Sequence, residues 1–197
     1  MTLRGAKRGP CAACVAVSAV EGLRGRAPDS YSWPMPRVVF MCGPAGSGKS
    51  TVAREFERDG MVRLSFDQEA WDRGLRTMPL PPEVHADIEA HLRRRLLELV
   101  EQGRDVVLDF SFWSRAMRDD WRALLAPLGV VPEILYLATD RQTCLDRVRA
   151  RALEHGDDFT LTPEVAAQYY DNFEPPSSDE GPLDVRPASA EVSRCWP

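Results

Sequence analysis

The run Gly43-Pro44-Ala45-Gly46-Ser47-Gly48-Lys49-Ser50 reads G-x-x-x-x-G-K-S, and Thr51 follows it. Glycines at this spacing let backbone N–H groups turn inward around an anion, and a helix beginning next presents its positive end to the same charge. A lysine at the position of Lys49 reaches the β- and γ-phosphates of a nucleoside triphosphate, and a hydroxyl at Ser50 is placed to ligate Mg²⁺. The chain holds 23 arginines but only two lysines, Lys7 and Lys49. It therefore writes nearly every cation as arginine yet keeps a compact ammonium inside this loop, where a planar guanidinium would not fit.

The elements that must position such a loop are legible on both sides of it. The apolar run Val38–Cys42 predicts the strand ahead of the loop, and Val52, Ala53 and Phe56 at helical spacing predict a helix over residues 50–58. Further strands are expected at 62–66, ending at Asp67, at 105–108, ending at Asp109, at 133–137 and at 183–185. Between them, helices are predicted over Pro82–Glu101, 114–125 and 140–154 from apolar repeats such as Ile88, Leu92, Leu96 and Leu99. Strands alternating with helices imply an α/β fold with a parallel sheet, in which ligands gather at the carboxyl ends of the strands. The loop, Asp67 and Asp109 would share that edge.

Length points to one domain, taken here as residues 35–186, with 1–34 as an N-terminal extension and 187–197 as a loose tail. Residues 1–34 carry an apolar run after Arg4, Lys7 and Arg8 that resembles a short signal or transit peptide, but Met35 sits as a natural start ahead of the first strand. From Met35 onward the formal charge is −8, which disfavours a long nucleic-acid track. No stretch approaches the ~20 apolar residues of a membrane span. Cys11-x-x-Cys14 has no partner pair, and the histidines show no ligand spacing with the cysteines, so reduced thiols and a cytoplasmic setting are expected.

With these residues in view, the chain resembles the small P-loop kinases of the AAA-type ATP-binding group, a set that includes chloramphenicol phosphotransferase, the tunicamycin-resistance protein, zeta toxins and the kinase domain of polynucleotide kinase. The likeness runs from Met35 to about Asp184. It rests on 43–51, on Leu64-Ser65-Phe66-Asp67, on residues 105–115, on Arg147-x-x-x-Arg151 and on Phe173-Glu174-Pro175-Pro176.

The resemblance implies a P-loop NTPase of three α/β/α layers with a short helical lid, Mg-ATP as cofactor, and ATP bound by Gly43, Pro44, Ala45, Gly46, Ser47, Gly48, Lys49, Ser50 and Thr51. It implies that Asp67 accepts the proton of a substrate hydroxyl, that Ser50 and Asp109 hold the metal, and that Arg147 and Arg151 close with Lys49 on the transferring phosphoryl group.

Each role has a structural competitor. Asp67 has the alternative of capping a helix before Gln68, Asp109 of capping the turn at 111–115, and the two arginines of lying solvated or paired with Asp146 or Glu154. Beyond Asp109, the cluster of Phe112, Trp113, Arg115 and Arg118 forms an expected acceptor wall in which Trp113, Arg115, Arg118 and Asp109 bind substrate, with Trp113 as core the competing reading. Arg93, Arg94 and Arg95 project around a helix and read as solvated surface.

The expected function is transfer of the ATP γ-phosphate to a hydroxyl of a small molecule such as an antibiotic or a nucleotide-sugar-like compound. The alternatives are a 5′-hydroxyl polynucleotide kinase or RNA-repair factor, and a non-catalytic ATP-sensing switch. A GTPase is disfavoured because the sequence has neither an Asn-Lys-x-Asp base reader nor an Asp-x-x-Gly switch after Asp109. Two departures weaken the nucleic-acid reading and the lid: Ala70 stands where polynucleotide kinases place an arginine, and residues 156–162 are short for a lid.

Overall fold

A computed structural model describes residues 35–76, 80–154 and 161–187. The calls on 1–34 and on 188–197 lie outside the described residues, as does most of the presumed lid. The elements in chain order are β1 (Val38–Cys42), α1 (Lys49–Arg58), β2 (Val62–Ser65), α2 (Phe66–Asp72), α3 (Pro82–Glu101), β3 (Val106–Asp109), α4 (Arg115–Leu125), β4 (Glu133–Ala138), α5 (Arg141–Glu154), α6 (Pro163–Asp171) and β5 (Leu183–Pro187).

The five strands form one sheet in the order β2-β3-β1-β4-β5, and every pairing is parallel. β1 lies at the centre with all five residues buried, which is why its sequence is a continuous apolar run instead of an alternating one. Val38, Phe40 and Cys42 face a core shared with Ile88, Leu92, Leu96 and Leu99 of α3 and with Trp121 and Leu125 of α4. Val39 and Met41 face the opposite way, toward Ala53, Val52 and Phe56 of α1. The period-2 alternation of β1 thus builds both interior layers of an α/β/α sandwich.

Three local findings differ from the sequence reading. α2 begins at Phe66, and its N-cap is Ser65, whose Oγ accepts the Gln68 N–H at 3.3 Å. Asp67 is therefore inside the helix and is not its cap. α4 is likewise capped by Ser114, whose side chain accepts from Met117 N, which removes the capping alternative for Asp109. α6 was not anticipated, although Thr162 caps it, Pro163 opens it and Glu164 lies in its first turn.

Candidate active site

The phosphate-type loop folds as its glycines require. Gly43, Gly46 and Gly48 take φ values of 147°, 83° and 102°, and Gly48 is the left-handed N-cap of α1. A Cβ on Gly43 would stand 2.7 Å from Ser47 Oγ, and one on Gly46 would land on the Cys144 carbonyl of α5. The cradle is therefore closed to side chains on its floor.

No side chain caps α1 and no acid lies in its first turn, so the amide groups of that turn keep their positive end for a ligand. Ser47 Oγ is buried without a hydrogen-bond partner among the described residues. Lys49 is half-buried and, among the described residues, donates to the Gly43 and Pro44 carbonyls, each at 2.9 Å. Burial pulls its pKa down, and Asp109 and Asp67 partly offset that effect. A desolvated ammonium whose hydrogen bonds go to neutral carbonyls is a group awaiting an anion.

α5 backs the loop. Thr139 Oγ1 donates to Ser47 O at 3.1 Å, Ala45 packs on Leu145, Val148 and Ala166, and Arg147 Nη1 donates to the Gly46 and Ser47 carbonyls at 3.4 Å. Arg147 is thus neither loosely solvated nor paired with Asp146. Arg151 is exposed on the same helix, and its charge acts on Lys49.

Asp109 closes β3 beside the loop with its side chain 2% exposed. Its Oδ1 accepts the Ser50 hydroxyl at 3.3 Å, while Oδ2 accepts Arg63 Nη2 at 2.7 Å and Nε at 3.0 Å. A hydroxyl and a carboxylate side by side are hard oxygen donors of the kind Mg²⁺ takes, so the residues present fit that ion. Ser50 and Asp67 also line one cavity of about 120 Å³, together with Arg54, Arg63, Gln68 and Trp71. It opens next to the carboxyl end of β2, where the parallel sheet directs its ligands.

A family model described as an AAA domain matches residues 38–176. The chain belongs to the AAA family of P-loop kinases. It is similar to the cytidylate kinase of Natronomonas pharaonis, with 30% identity over 67% of this chain and 77% of that protein. It is also similar to the shikimate kinase of Halorhodospira halophila, with 32% identity over 69% of this chain and 75% of that one. Among solved structures its fold resembles a chain of the Pnkp1/Rnl/Hen1 RNA repair complex, at a TM-score of 0.63 and 19% identity over 70% of this chain. That match spans 44% of the RNA-repair chain.

In this kinase domain Arg118 is withdrawn from the acceptor wall expected beyond Asp109. Arg118 is 1% exposed, and Glu180 takes its Nε and Nη2 at 2.7 and 2.9 Å while the Phe112 and Glu174 carbonyls take Nη1 at 2.9 Å. Four of its five N–H donors are spent inside the protein and the side chain is closed to solvent, so Arg118 is built into the structure and does not face a substrate. Arg115 is exposed but tied to Asp179 at 2.7 Å, and its own N–H goes to Glu174 Oε2 at 2.8 Å. Trp113 is 51% exposed, so it is not core, and it does not line the cavity.

The aromatic core position belongs to Phe112. It is held at φ 43° and stacks on Phe40 with centroids 4.3 Å apart. The P-loop corner instead draws on residues that sequence reading passed over. Arg63 looked like an ordinary strand residue and Arg54 an ordinary helix residue; the one usable signal was that both stand within a few positions of the motif residues.

Proposed function

We propose that this chain is a Mg-ATP-dependent phosphotransferase that moves the γ-phosphoryl group of ATP to a hydroxyl of a small molecule. The observation that carries the reading is that Ser50 and Asp67 share one small cavity. A phosphoryl group held by residues 43–51 and a hydroxyl held near Asp67 would therefore meet in the same space. Ser50, with Asp109 behind it, would hold Mg²⁺, which when bound would offset the charge of the phosphates. Lys49 exchanges its carbonyl partners for phosphate oxygens, and Arg147 and Arg151 approach the same group from α5. Asp67, exposed at the second position of α2, is not the cap of that helix, a role Ser65 fills, and stands where it can receive the acceptor proton.

The family supports phosphotransfer, and two of its relatives are named for small molecules, cytidylate and shikimate. The size of the cavity and the domain charge of −8 favour a small acceptor over a polynucleotide end. Among the described residues no helix is long and apolar enough to cross a membrane. Cys42 and Cys144 are buried free thiols, in keeping with a reducing, cytoplasmic setting.

The experiment is incubation of the protein with Mg-ATP and a pooled library of metabolites and antibiotics, read by mass spectrometry for gain of one phosphoryl group. Asp67→Asn serves as the control. A product that disappears in the control supports the assignment; a product that persists removes Asp67 as the base.

A further inference from the structure

We infer that the phosphoryl acceptor is an anion, a compound bearing a carboxylate or phosphate close to the reacting hydroxyl, and that Arg54 binds its charge. The inference rests on the phosphotransfer reading and names the acceptor class for the same cavity.

The argument is an inventory of charge around that space. Two arginines line it, but the Arg63 guanidinium is already committed to Asp109 through two hydrogen bonds. Arg54 is different. Many arginines elsewhere on the described surface have an acid partner: Arg37 has Glu133, Arg73 has Glu69, Arg95 has Glu98, Arg141 has Asp171 and Arg149 has Asp146, while Arg76 and Arg94 lean on carbonyls and on an imidazole. Arg54 has none among the described residues, even though Glu57 stands three positions ahead on the same helix, at a spacing that ordinarily pairs. It lines the cavity beside Ser50, one turn behind it on α1.

The remaining wall suits a small polar anion. Gln68 offers an amide, although its Nε2 is anchored on Asp72 Oδ1 at 2.8 Å. Trp71 supplies a flat surface, and the Arg76 guanidinium holds the ring by lying 3.7 Å from its centroid and donating to the Trp71 carbonyl at 2.6 Å. Asp67 adds a negative charge to the same wall, so an anionic acceptor enters only if a cation compensates it. Arg54 is the guanidinium there without an acid of its own, and a guanidinium fork matches carboxylate and phosphate oxygens equally.

The test is affinity selection by mass spectrometry on the full chain, with and without a non-hydrolysable ATP analogue and Mg²⁺. The probes are glycerate, glycerol 3-phosphate and glycerol, with gluconate, glucose 6-phosphate and glucitol as a longer set on matched skeletons. The wild-type protein should retain acids over the uncharged polyols, and Arg54→Gln should weaken that retention about ten- to a hundredfold, the usual range for a charge-assisted hydrogen bond. Arg104→Gln, an exposed arginine away from the cavity, should retain them as the wild type does.

Preference between the hydroxy acids and the phosphomonoesters says which oxyanion the site takes. Equal retention of polyols, equal retention by Arg54→Gln, or no retention of any acid overturns the inference. Loss of nucleotide retention by the wild type would instead sink the phosphotransfer reading, and that signal is read separately in the same samples.

Discussion

Two arginine-rich corners flank the carboxyl end of β3, and they treat their charges in opposite ways. Beyond the strand, Arg118 and Glu180 are each 1% exposed at the side chain and satisfy one another, with the Ser177 N–H and two backbone carbonyls completing the set. At the phosphate loop, Lys49 leans on its own backbone, Ser47 Oγ has no partner among the described residues and α1 has no side-chain cap. The first corner is finished without a ligand, and the second is not. A buried polar network that closes on itself fixes structure, whereas one left open at a glycine cradle holds its donors ready for something that arrives.

The contrast predicts effects of different kinds. Arg118→Ala should cost up to about 3–5 kcal/mol in urea unfolding because it leaves the buried Glu180 carboxylate with only Ser177 and the longer contact to Arg122, at 3.4 Å. The double replacement Arg118→Met with Glu180→Leu should recover most of that loss, since it removes both charges together. The folded fraction of either variant should hold nucleotide as the wild type does. If Arg118→Ala weakens nucleotide or acceptor binding per folded molecule, the corner is part of the site after all.

Lys49→Met should behave in reverse, lowering phosphotransfer about 10²- to 10³-fold, the cost of one lost charge-stabilising donor. Its stability should hold or rise, because a desolvated cation without a salt bridge of its own has been removed. Unfolding and single-turnover rates measured on the same preparation separate the two corners.

What the sequence disclosed follows the same division. Strand–loop–helix order, the central apolar strand and the positions of Asp67 and Asp109 were readable because local pattern and backbone chemistry decide them. Arg118 was placed in the acceptor wall because it looks like a site residue when Glu180, 62 positions away, is not known to reach it. Arg63 was unreadable for the same reason: its partner lies 46 residues away, across the β2–β3 pairing that sets Ser65 against Asp109. α6 was missed despite its Thr-Pro-Glu start because its apolar face is small, with Ala166 its buried residue.

Arg63→Met probes the boundary between the corners. It frees Asp109 from its paired guanidinium, so the variant should be less stable than wild type alone but should gain more from Mg-ATP, by about 1.5 kcal/mol beyond the wild-type shift. Arg118→Ala should show only the wild-type shift. Equal shifts in all three proteins would mean that Asp109 does not face the metal.

The smallest expected effect lies on the acid side of the stability profile. Burial alone would raise the Glu180 pKa, but the Arg118 guanidinium and the Ser177 N–H hold it below its ordinary 4.5. A carboxylate depressed in the folded state contributes stability that is full above 4.5. As pH falls past that value the unfolded chain takes up the proton first, and the contribution fades until pH passes below the folded value.

Asp179, held at about 2 chiefly by Arg115, should lose its part between 3.8 and about 2, but that pair is fully exposed and high salt should screen it. Stability measured against pH at low and high salt should therefore keep the Glu180 limb and flatten the Asp179 limb. The Arg118→Met/Glu180→Leu protein should lack the first of these and keep the second. A wild-type limb that vanishes in salt would show that the Arg118–Glu180 pair is reached by solvent, and the closed corner would then be as open as the phosphate loop.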